Sequence, residues 1–456
     1  MKSTQYFFFL FLFFFTACEV KTQTANNLST FANLQYLVKE DALYDNFSLQ
    51  NGGLIFYANA FDKENDKAEC VIYADELPAV TRLMSVLSPD SALIFYKEKK
   101  DKKLSELTAF QPYLIEKKNI SSKKDSLLPL KGKRIALDPG HIEADMTMAE
   151  MEGKFVKMRP ANETGLVPIS FNEASLTLAT ARLLAEKLKK DGAEVLITRP
   201  LPGVGMMGKT FEDWYNQDRI QTVMNEVKAG KIDSVFAFYI LNLATKVEVY
   251  QKFYVPVDLR IRAEKINAFR PDLTVIIHYN VHGPNWENRD SENYVKPTDK
   301  NYCMTFIAGS FKGYELYRIE DRSAFLRLLL TDDLKESMLF SDKITQKFIT
   351  KLGVPAVTES DELGYLNNSC ILTEKNGVYA RNLSLTRNIK GVLCYGESLC
   401  QDNIMESAWL NQHLIPAGDL QTSSRTRMVA ESYFEGIKNY YSEKETRILA
   451  AQKGGK

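Results

Sequence analysis

Residues 134–141 read RIALDPGH and residues 273–280 read LTVIIHYN, two short apolar runs that each end in a polar segment carrying a histidine. The second run is continuous and rich in β-branched residues, which is typical of a strand buried on both faces. Ligands of open α/β sheets bind beyond the carboxyl ends of the strands. The polar residues that follow these two runs are therefore candidate functional residues.

Helical patterns separate the apolar runs. Leucine and alanine recur at helical spacing over residues 176–188, and a stop signal precedes the next strand at 195–198. A further helix is indicated near residues 259–266 and a last strand at 391–395. This alternation predicts an α/β fold over residues 131–456, with a largely parallel sheet flanked by helices.

Four polar residues stand at the boundaries of these elements. His141, His278 and Glu397 each follow an apolar run, and Glu173 opens the long helix. Two imidazoles and one carboxylate form a ligand set that suits zinc and leaves a fourth position for water, as in catalytic sites. A carboxylate that does not bind the metal could then act as a base.

Each of these residues also has an ordinary structural interpretation. The S-x-x-E spacing before Glu173 is that of a capping box, which would make this glutamate a helix cap. His278 could be a buried core histidine, and Glu397 could be a solvated loop carboxylate. We expect the other two histidines, His282 and His413, to be surface or supporting residues.

The chain carries a set of short motifs in a fixed order: Leu137-Asp138-Pro139-Gly140-His141, Asn172-Glu173, Asp191-Gly192 with Val195 and Thr198-Arg199, Leu259 with Arg262 and Ile266-Asn267, Asp272 with Ile277-His278 and Asn280, and Glu397 with Asn403. Over residues 135–410 this order resembles the zinc-dependent N-acetylmuramoyl-L-alanine amidases of the Amidase_3 type. The resemblance implies an amidase-like fold in which His141, Glu173 and His278 bind Zn²⁺. It further implies that Glu397 is the catalytic glutamate.

The activity implied by the resemblance is hydrolysis of the amide between N-acetylmuramic acid and L-alanine in peptidoglycan. One alternative is a catalytically inactive envelope lipoprotein that binds peptidoglycan, and another is a zinc peptidase that acts on a different amide. Bound metal would separate the inactive protein from the two enzymes, and the identity of the released amine would separate the enzymes from each other.

The chain departs from the family pattern beside the site. Ile142-Glu143 stands where the family has Gly-Gly, and Leu399-Cys400 stands where it has Gly-Phe. Three insertions are predicted, at 142–170, 200–257 and 281–340. We expect one of the last two to be a candidate gate that an activator protein would move.

The N-terminus has the pattern of an export signal. Residues 1–17 combine a lysine, an apolar run and small residues, followed by Cys18. Small residues before a cysteine resemble the bacterial lipobox, which predicts lipidation at Cys18, a polar tether over 18–30 and a periplasmic lipoprotein held at a membrane of the cell envelope. Cleavage elsewhere would give a soluble exported protein instead.

Composition limits the remaining choices. The 456 residues include 58 Lys and Arg against 58 Asp and Glu, and this net charge of zero argues against nucleic acid as a general partner. The sequence of residues 31–130 indicates a small mixed α/β or β-rich domain of unassigned role, which ends in a linker. The cysteines other than Cys18 are scattered and odd in number, which favours buried thiols over a disulfide framework.

Overall fold

The computed structural model describes residues 31–115, 128–143, 145–159, 168–283, 289–361 and 363–454. The predicted signal peptide, lipidation site and tether lie outside these ranges. The chain divides into two compact units. The first unit contains described residues 31–115 together with Gly309–Asp332, and the second contains the rest.

The described part of the first unit is a small mixed domain, as the sequence predicted. Its antiparallel sheet has the order β1-β2-β3, with Phe47 opposite Phe56 and Leu54 opposite Ile72. The strands are β1 (Phe47–Gln50), β2 (Gly53–Phe56) and β3 (Cys70–Ile72). The α-helices are Leu34–Leu37, Ala60–Glu64, Leu77–Val86, Pro89–Lys99 and Ile319–Leu330.

The last of these helices comes from a segment far along the chain. Phe325 is fully buried and its ring lies 5.1 Å from that of Phe47 and 6.2 Å from that of Phe56. Arg322 forms a bidentate ion pair with Glu69, at 2.6 and 2.7 Å. The segment predicted as one insertion at 281–340 is thus divided, because its middle part completes the core of the first unit.

Within the described residues, the second unit is built on a seven-stranded sheet of order β10-β11-β9-β12-β8-β4-β7. Strands β7, β4, β8 and β12 run parallel, β9 is antiparallel to β12, and β10 is antiparallel to β11. The predicted α/β architecture is confirmed. The strands of this unit are β4 (Arg134–Pro139), β5 (Phe155–Met158), β6 (Ile169–Asn172), β7 (Glu194–Ile197), β8 (Leu273–Asn280), β9 (Met304–Ile307), β10 (Cys370–Leu372), β11 (Val378–Arg381), β12 (Leu393–Cys400), β13 (Ile415–Ala417) and β14 (Leu420–Thr422).

Helices cover both faces of the sheet. Helices Glu173–Lys190, Asp333–Lys347 and Ser424–Gly454 pack with Val275 and Ile277 on one face. Helices Val255–Phe269 and Ser384–Asn388 pack with Ala136 and Ile276 on the other. Residues alternate between the faces along β8, and Leu273 to Tyr279 are all buried, which explains why the strand shows no alternation of apolar and polar residues. The remaining α-helices are Met146–Glu152, Phe211–Gln217, Arg219–Lys228, Ser234–Asn242, Lys246–Val249, Gly364–Ser369 and Ile404–Leu410.

The insertion at 200–257 is largely helical and has a core of its own. Its buried aromatic side chains include Phe211, Trp214, Tyr250 and Tyr254, with neighbouring ring centroids 4.9–5.9 Å apart. One π-helical turn, Tyr250–Tyr254, leads directly into helix Val255–Phe269. The insertion is therefore a packed layer that continues into the scaffold of the sheet.

The described cysteines are buried, as the sequence predicts. All five are free of disulfide bonds. None of the helices in these ranges has the length and apolar character needed to cross a lipid bilayer.

Candidate metal centre

His141 lies at the carboxyl end of β4 in a left-handed backbone conformation, with φ of 61°. A non-glycine residue adopts this conformation at a cost, and such strain is concentrated at functional sites. The preceding Gly140 is packed under the imidazole of His278. A Cβ atom at position 140 would lie 2.2–2.6 Å from three atoms of that ring. Glycine is therefore required for the two histidines to approach.

Two buried arginines hold the turn that presents His141. Arg199 donates to the carbonyl oxygens of Pro139 at 3.0 Å and Gly140 at 2.6 Å. Arg262 donates to the carbonyl oxygens of Pro139 and His141, both at 3.0 Å. Both arginines belong to the motifs quoted from the sequence. Their contacts with this turn could not be predicted from those motifs, because they form only in the folded chain.

Glu173 reaches the histidines from the first turn of its helix. Asn172 caps this helix, because its side-chain oxygen accepts from the backbone N–H of Ser175 at 2.8 Å. The capping-box interpretation of Glu173 is wrong, since its carboxylate faces the site. Oε1 of Glu173 lies 3.0 Å from Nδ1 of His278 and 3.2 Å from Nε2 of His141.

The three side chains form a compact group with the chemistry of a metal site. One potential ligand atom from each of His141, Glu173 and His278 lies within 4.8 Å of the others. Nε2 of His141 is buried and has no hydrogen-bond partner, although the carboxylate of Glu173 is close. Since a lone pair and a carboxylate oxygen repel unless a cation or proton lies between them, this arrangement fits a bound divalent metal.

The ionisable groups of the site shift one another's pKa values. Burial lowers the pKa of His141, but the carboxylates of Glu173 and Glu152 outweigh it and raise the pKa to about 9. Burial lowers the pKa of His278 to about 4, against its hydrogen bond with Glu173. Although burial acts in the opposite direction, His141 holds the pKa of Glu173 well below its usual range. The carboxylates of Glu173 and Glu152 thus surround the imidazole of His141.

Glu397 lies beside this group on the neighbouring strand. It is paired in register with His278, and Tyr395 stacks on the His278 ring with centroids 4.4 Å apart. Oε2 of Glu397 is buried and has no hydrogen-bond partner. Burial, followed by the negative charge of Glu173, raises the pKa of the Glu397 carboxyl to about 8. This raised value suits a group that accepts and returns a proton.

A second acidic group on the other side of His141 was not predicted. Nδ1 of His141 lies 2.6 Å from Oε1 of Glu152, and ligand atoms of Glu143, Glu152 and His141 lie within 4.8 Å of one another. Burial and the charge of Glu152 raise the pKa of Glu143 well above its usual range. The sequence offers no spacing signal for this contact, because Glu152 comes from an insertion outside the motif order.

The other residues singled out from sequence lie outside the group. Nδ1 of His282 is 3.0 Å from the hydroxyl of Tyr302, and His413 is exposed beside the carbonyl of Gln421. Asn403 caps helix Ile404–Leu410 by accepting two backbone N–H groups. Its role in the structure is that of a helix cap.

No protein-family model and no curated protein matches this chain. Solved structures similar to it include the CwlD amidase from Clostridioides difficile, in complex with the GerS lipoprotein, at 14% identity and a TM-score of 0.36, covering 68% of this chain and 99% of that one. The N-acetylmuramyl-L-alanine amidase Ami1 from Mycobacterium smegmatis has 13% identity and a TM-score of 0.37, with coverage of 69% and 99%. The N-acetylmuramoyl-L-alanine amidase AmiC2 of Nostoc punctiforme has 11% identity and a TM-score of 0.32, with coverage of 69% and 99%. Each of these three solved structures is that of an amidase.

Proposed function

We propose that this protein is a zinc-dependent amidase that hydrolyses the bond between N-acetylmuramic acid and L-alanine in peptidoglycan. The observation that carries the proposal is the convergence of two histidines and a glutamate beside a second carboxylate, that of Glu397, one oxygen of which is buried without a hydrogen-bond partner. The resemblance in motif order supplies the substrate, since the ligand set alone indicates only metal-assisted hydrolysis.

His141, Glu173 and His278 would hold the metal. When bound, Zn²⁺ supplies Lewis acidity, which activates water and polarises a carbonyl group. Glu397 takes a proton from the attacking water and delivers it to the leaving amine, a double role that its raised pKa favours. Arg199 holds the backbone that orients the first histidine.

The decisive assay uses protein without residues 1–18, loaded with zinc and incubated with purified peptidoglycan from which other proteins have been removed. We expect release of stem peptides with free L-alanine amino termini. Glu397→Ala should reduce the rate by roughly 10²- to 10⁴-fold, the usual contribution of a general acid–base. Glu186→Ala, an exposed position on helix Glu173–Lys190, is the control and should retain full activity.

The alternatives predict other outcomes of the same assay. Zinc binding without any release contradicts an enzyme that is active by itself. Absence of both zinc and release favours a peptidoglycan-binding protein without catalysis. Release of an amine other than L-alanine indicates a zinc peptidase.

We propose further that the protein is an exported lipoprotein, anchored to an envelope membrane through Cys18. The support is the signal-like sequence of residues 1–17. Metabolic labelling with a fatty-acid analogue should modify the full chain and fail to modify Cys18→Ser. Equal labelling of both chains would contradict the anchor.

Control by an activator that moves 200–257 or 281–340 also stays a prediction. Removal of a true gate should raise activity without any partner, and unchanged activity would contradict that role. Excising 200–257 is a poor test because Phe253 and Tyr254 are buried in its core. Part of 281–340 belongs to the first unit, so this segment too cannot be removed without loss of packing.

A further inference from the structure

Glu152 connects the metal ligand His141 to the insertion at 200–257. Its Oε1 lies 2.6 Å from Nδ1 of His141, and its Oε2 accepts a hydrogen bond from the hydroxyl of Tyr250 at 2.6 Å. Tyr250 is fully buried. Both oxygens of Glu152 are therefore held, one by the metal ligand and the other by the insertion.

The contact with Glu152 determines which nitrogen of His141 is free. An imidazole that donates through Nδ1–H to a carboxylate presents the lone pair of Nε2. Nε2 of His141 is the buried nitrogen without a hydrogen-bond partner, 3.2 Å from Glu173. Glu152 thus selects the tautomer and ring orientation that a metal between His141 and Glu173 requires.

The insertion also fixes the backbone that carries Glu152. Helix Met146–Glu152 ends at Gly153 in a left-handed conformation, and Gln251 donates to the carbonyl of Met151 at 2.8 Å. Tyr250 and Gln251 both belong to the π-helical turn Tyr250–Tyr254. Single π-helical turns are frequent at functional sites, where they present side chains that a regular helix would not.

We propose that Glu152 is a positioning residue for His141, and that Tyr250 anchors it, so that the insertion at 200–257 is a structural part of the metal centre. The proposal rests on the proposed function only in taking His141 as a metal ligand. It extends that function by assigning the outer partner of the ligand and the segment that holds it. The carboxylate remains outside the coordination of the metal.

The test measures metal binding rather than turnover, with the chain complete from residue 19 onwards. Zinc affinity is determined by competition with a chromophoric chelator, and the ligand field is followed by the absorption spectrum of the Co²⁺-loaded protein. The variants are Glu152→Gln and Tyr250→Phe. Tyr254→Phe is the matched control, because it removes a hydroxyl group from the same aromatic cluster. The hydroxyl of Tyr254 donates to the carbonyl of Lys209 and does not contact Glu152.

We expect one zinc ion per chain, bound about 10- to 100-fold more weakly by Glu152→Gln. Tyr250→Phe should lose about two- to tenfold, as expected for one ordinary hydrogen bond that holds Glu152 and not the metal ligand itself. The Co²⁺ spectrum should change in both variants and stay unchanged in Tyr254→Phe. A general loss of packing would not produce this difference between the two tyrosines.

Three results would overturn the proposal. One is wild-type affinity and spectrum in Glu152→Gln, and another is equal behaviour of the two tyrosine variants. The third is two metal ions per wild-type chain with one lost in Glu152→Gln, since Glu152 would then be a ligand. If Glu152→Gln fails to fold, the comparison of Tyr250→Phe with Tyr254→Phe decides the question.

The test is independent of the amidase assay, because none of these measurements uses peptidoglycan. A protein without amidase activity would refute the proposed function, and the role of Glu152 would still be decided by the metal-binding measurements.

Discussion

Among single residues, Gly140 is the one on which the packing of the site depends most directly. The ring of His278 lies so close to its backbone that position 140 has no room for a side chain. We expect Gly140→Ala to displace the His278 ring, because the new Cβ would lie 2.2–2.6 Å from its atoms. Metal affinity should fall, and stability should decrease by about 1–3 kcal/mol. Gly364→Ala is the control, since a Cβ there meets no atom within 4 Å. Zinc titration and urea unfolding measure both effects, and unchanged zinc affinity in Gly140→Ala would contradict the packing described.

A buried carboxyl near the end of β12 predicts a pH dependence of stability. Burial raises the pKa of Asp402 to about 7, although its bonds from the backbone of His282 lower it. The unfolded chain, with a carboxyl pKa of about 3.9, releases this proton first, so stability decreases as pH rises from about 4 to 7. Asp402→Asn should therefore flatten the dependence of the unfolding free energy on pH in this window.

The control for this pH prediction is Asp419→Asn. Asp419 is exposed and bonded to Arg182, which lowers its pKa, so its removal cannot produce the same flattening. Urea unfolding at intervals between pH 4 and 8 gives the comparison. A parallel pH profile for Asp402→Asn and the unmodified chain would show that Asp402 is ionised in the folded state throughout.

At the scale of elements, two asparagine caps of similar geometry have different consequences. Asn172 caps the helix that begins with Glu173, whereas Asn403 caps helix Ile404–Leu410. Replacing either asparagine by alanine should cost about 1 kcal/mol of stability. Only Asn172→Ala should also weaken zinc binding, because fraying of the first helical turn displaces the Glu173 carboxylate. Equal zinc affinity in the two variants would show that the cap does not position the ligand.

At the scale of the whole molecule, the first unit is completed by a segment nearly two hundred residues further along the chain. We expect a fragment of residues 31–118 to show no cooperative unfolding, because it lacks the helix that carries Phe325 and Arg322. In the full chain, Phe325→Ala should destabilise the first unit by about 3–5 kcal/mol.

Tyr317→Ala provides the control for this prediction in the same segment. Tyr317 is 66% exposed, so its loss should change stability by no more than about 0.5 kcal/mol. Hydrogen exchange of β1 and β2 amides reports on the first unit separately from the larger sheet. A fragment that folds by itself would show that the helix Ile319–Leu330 is not needed for this core.

Local sequence patterns were enough to predict the α/β architecture, because strands and helices differ in the spacing of their apolar residues. They also placed His141 just beyond the end of β4, since an apolar run followed by a polar residue marks where a buried strand ends. His278 and Glu397 were expected directly after their strands, but they lie within β8 and β12, which continue to Asn280 and Cys400. Parallel strands direct their carboxyl ends to one edge of a sheet, which is why residues so distant in sequence could be expected to meet. Glu173 followed from its place at the start of a helix.

The surroundings of His141 and the composition of the first unit could not be predicted in this way, because both depend on contacts between segments far apart in the chain. The contact between Glu152 and Tyr250 spans 98 residues, and that between Glu69 and Arg322 spans 253. The residues around each glutamate do not indicate its partner. A glutamate in a loop or on a short helix has the same sequence pattern whether it is exposed to solvent or paired with a distant residue. Such contacts form only when separate elements pack against each other, because a charge that becomes buried is costly unless it is paired.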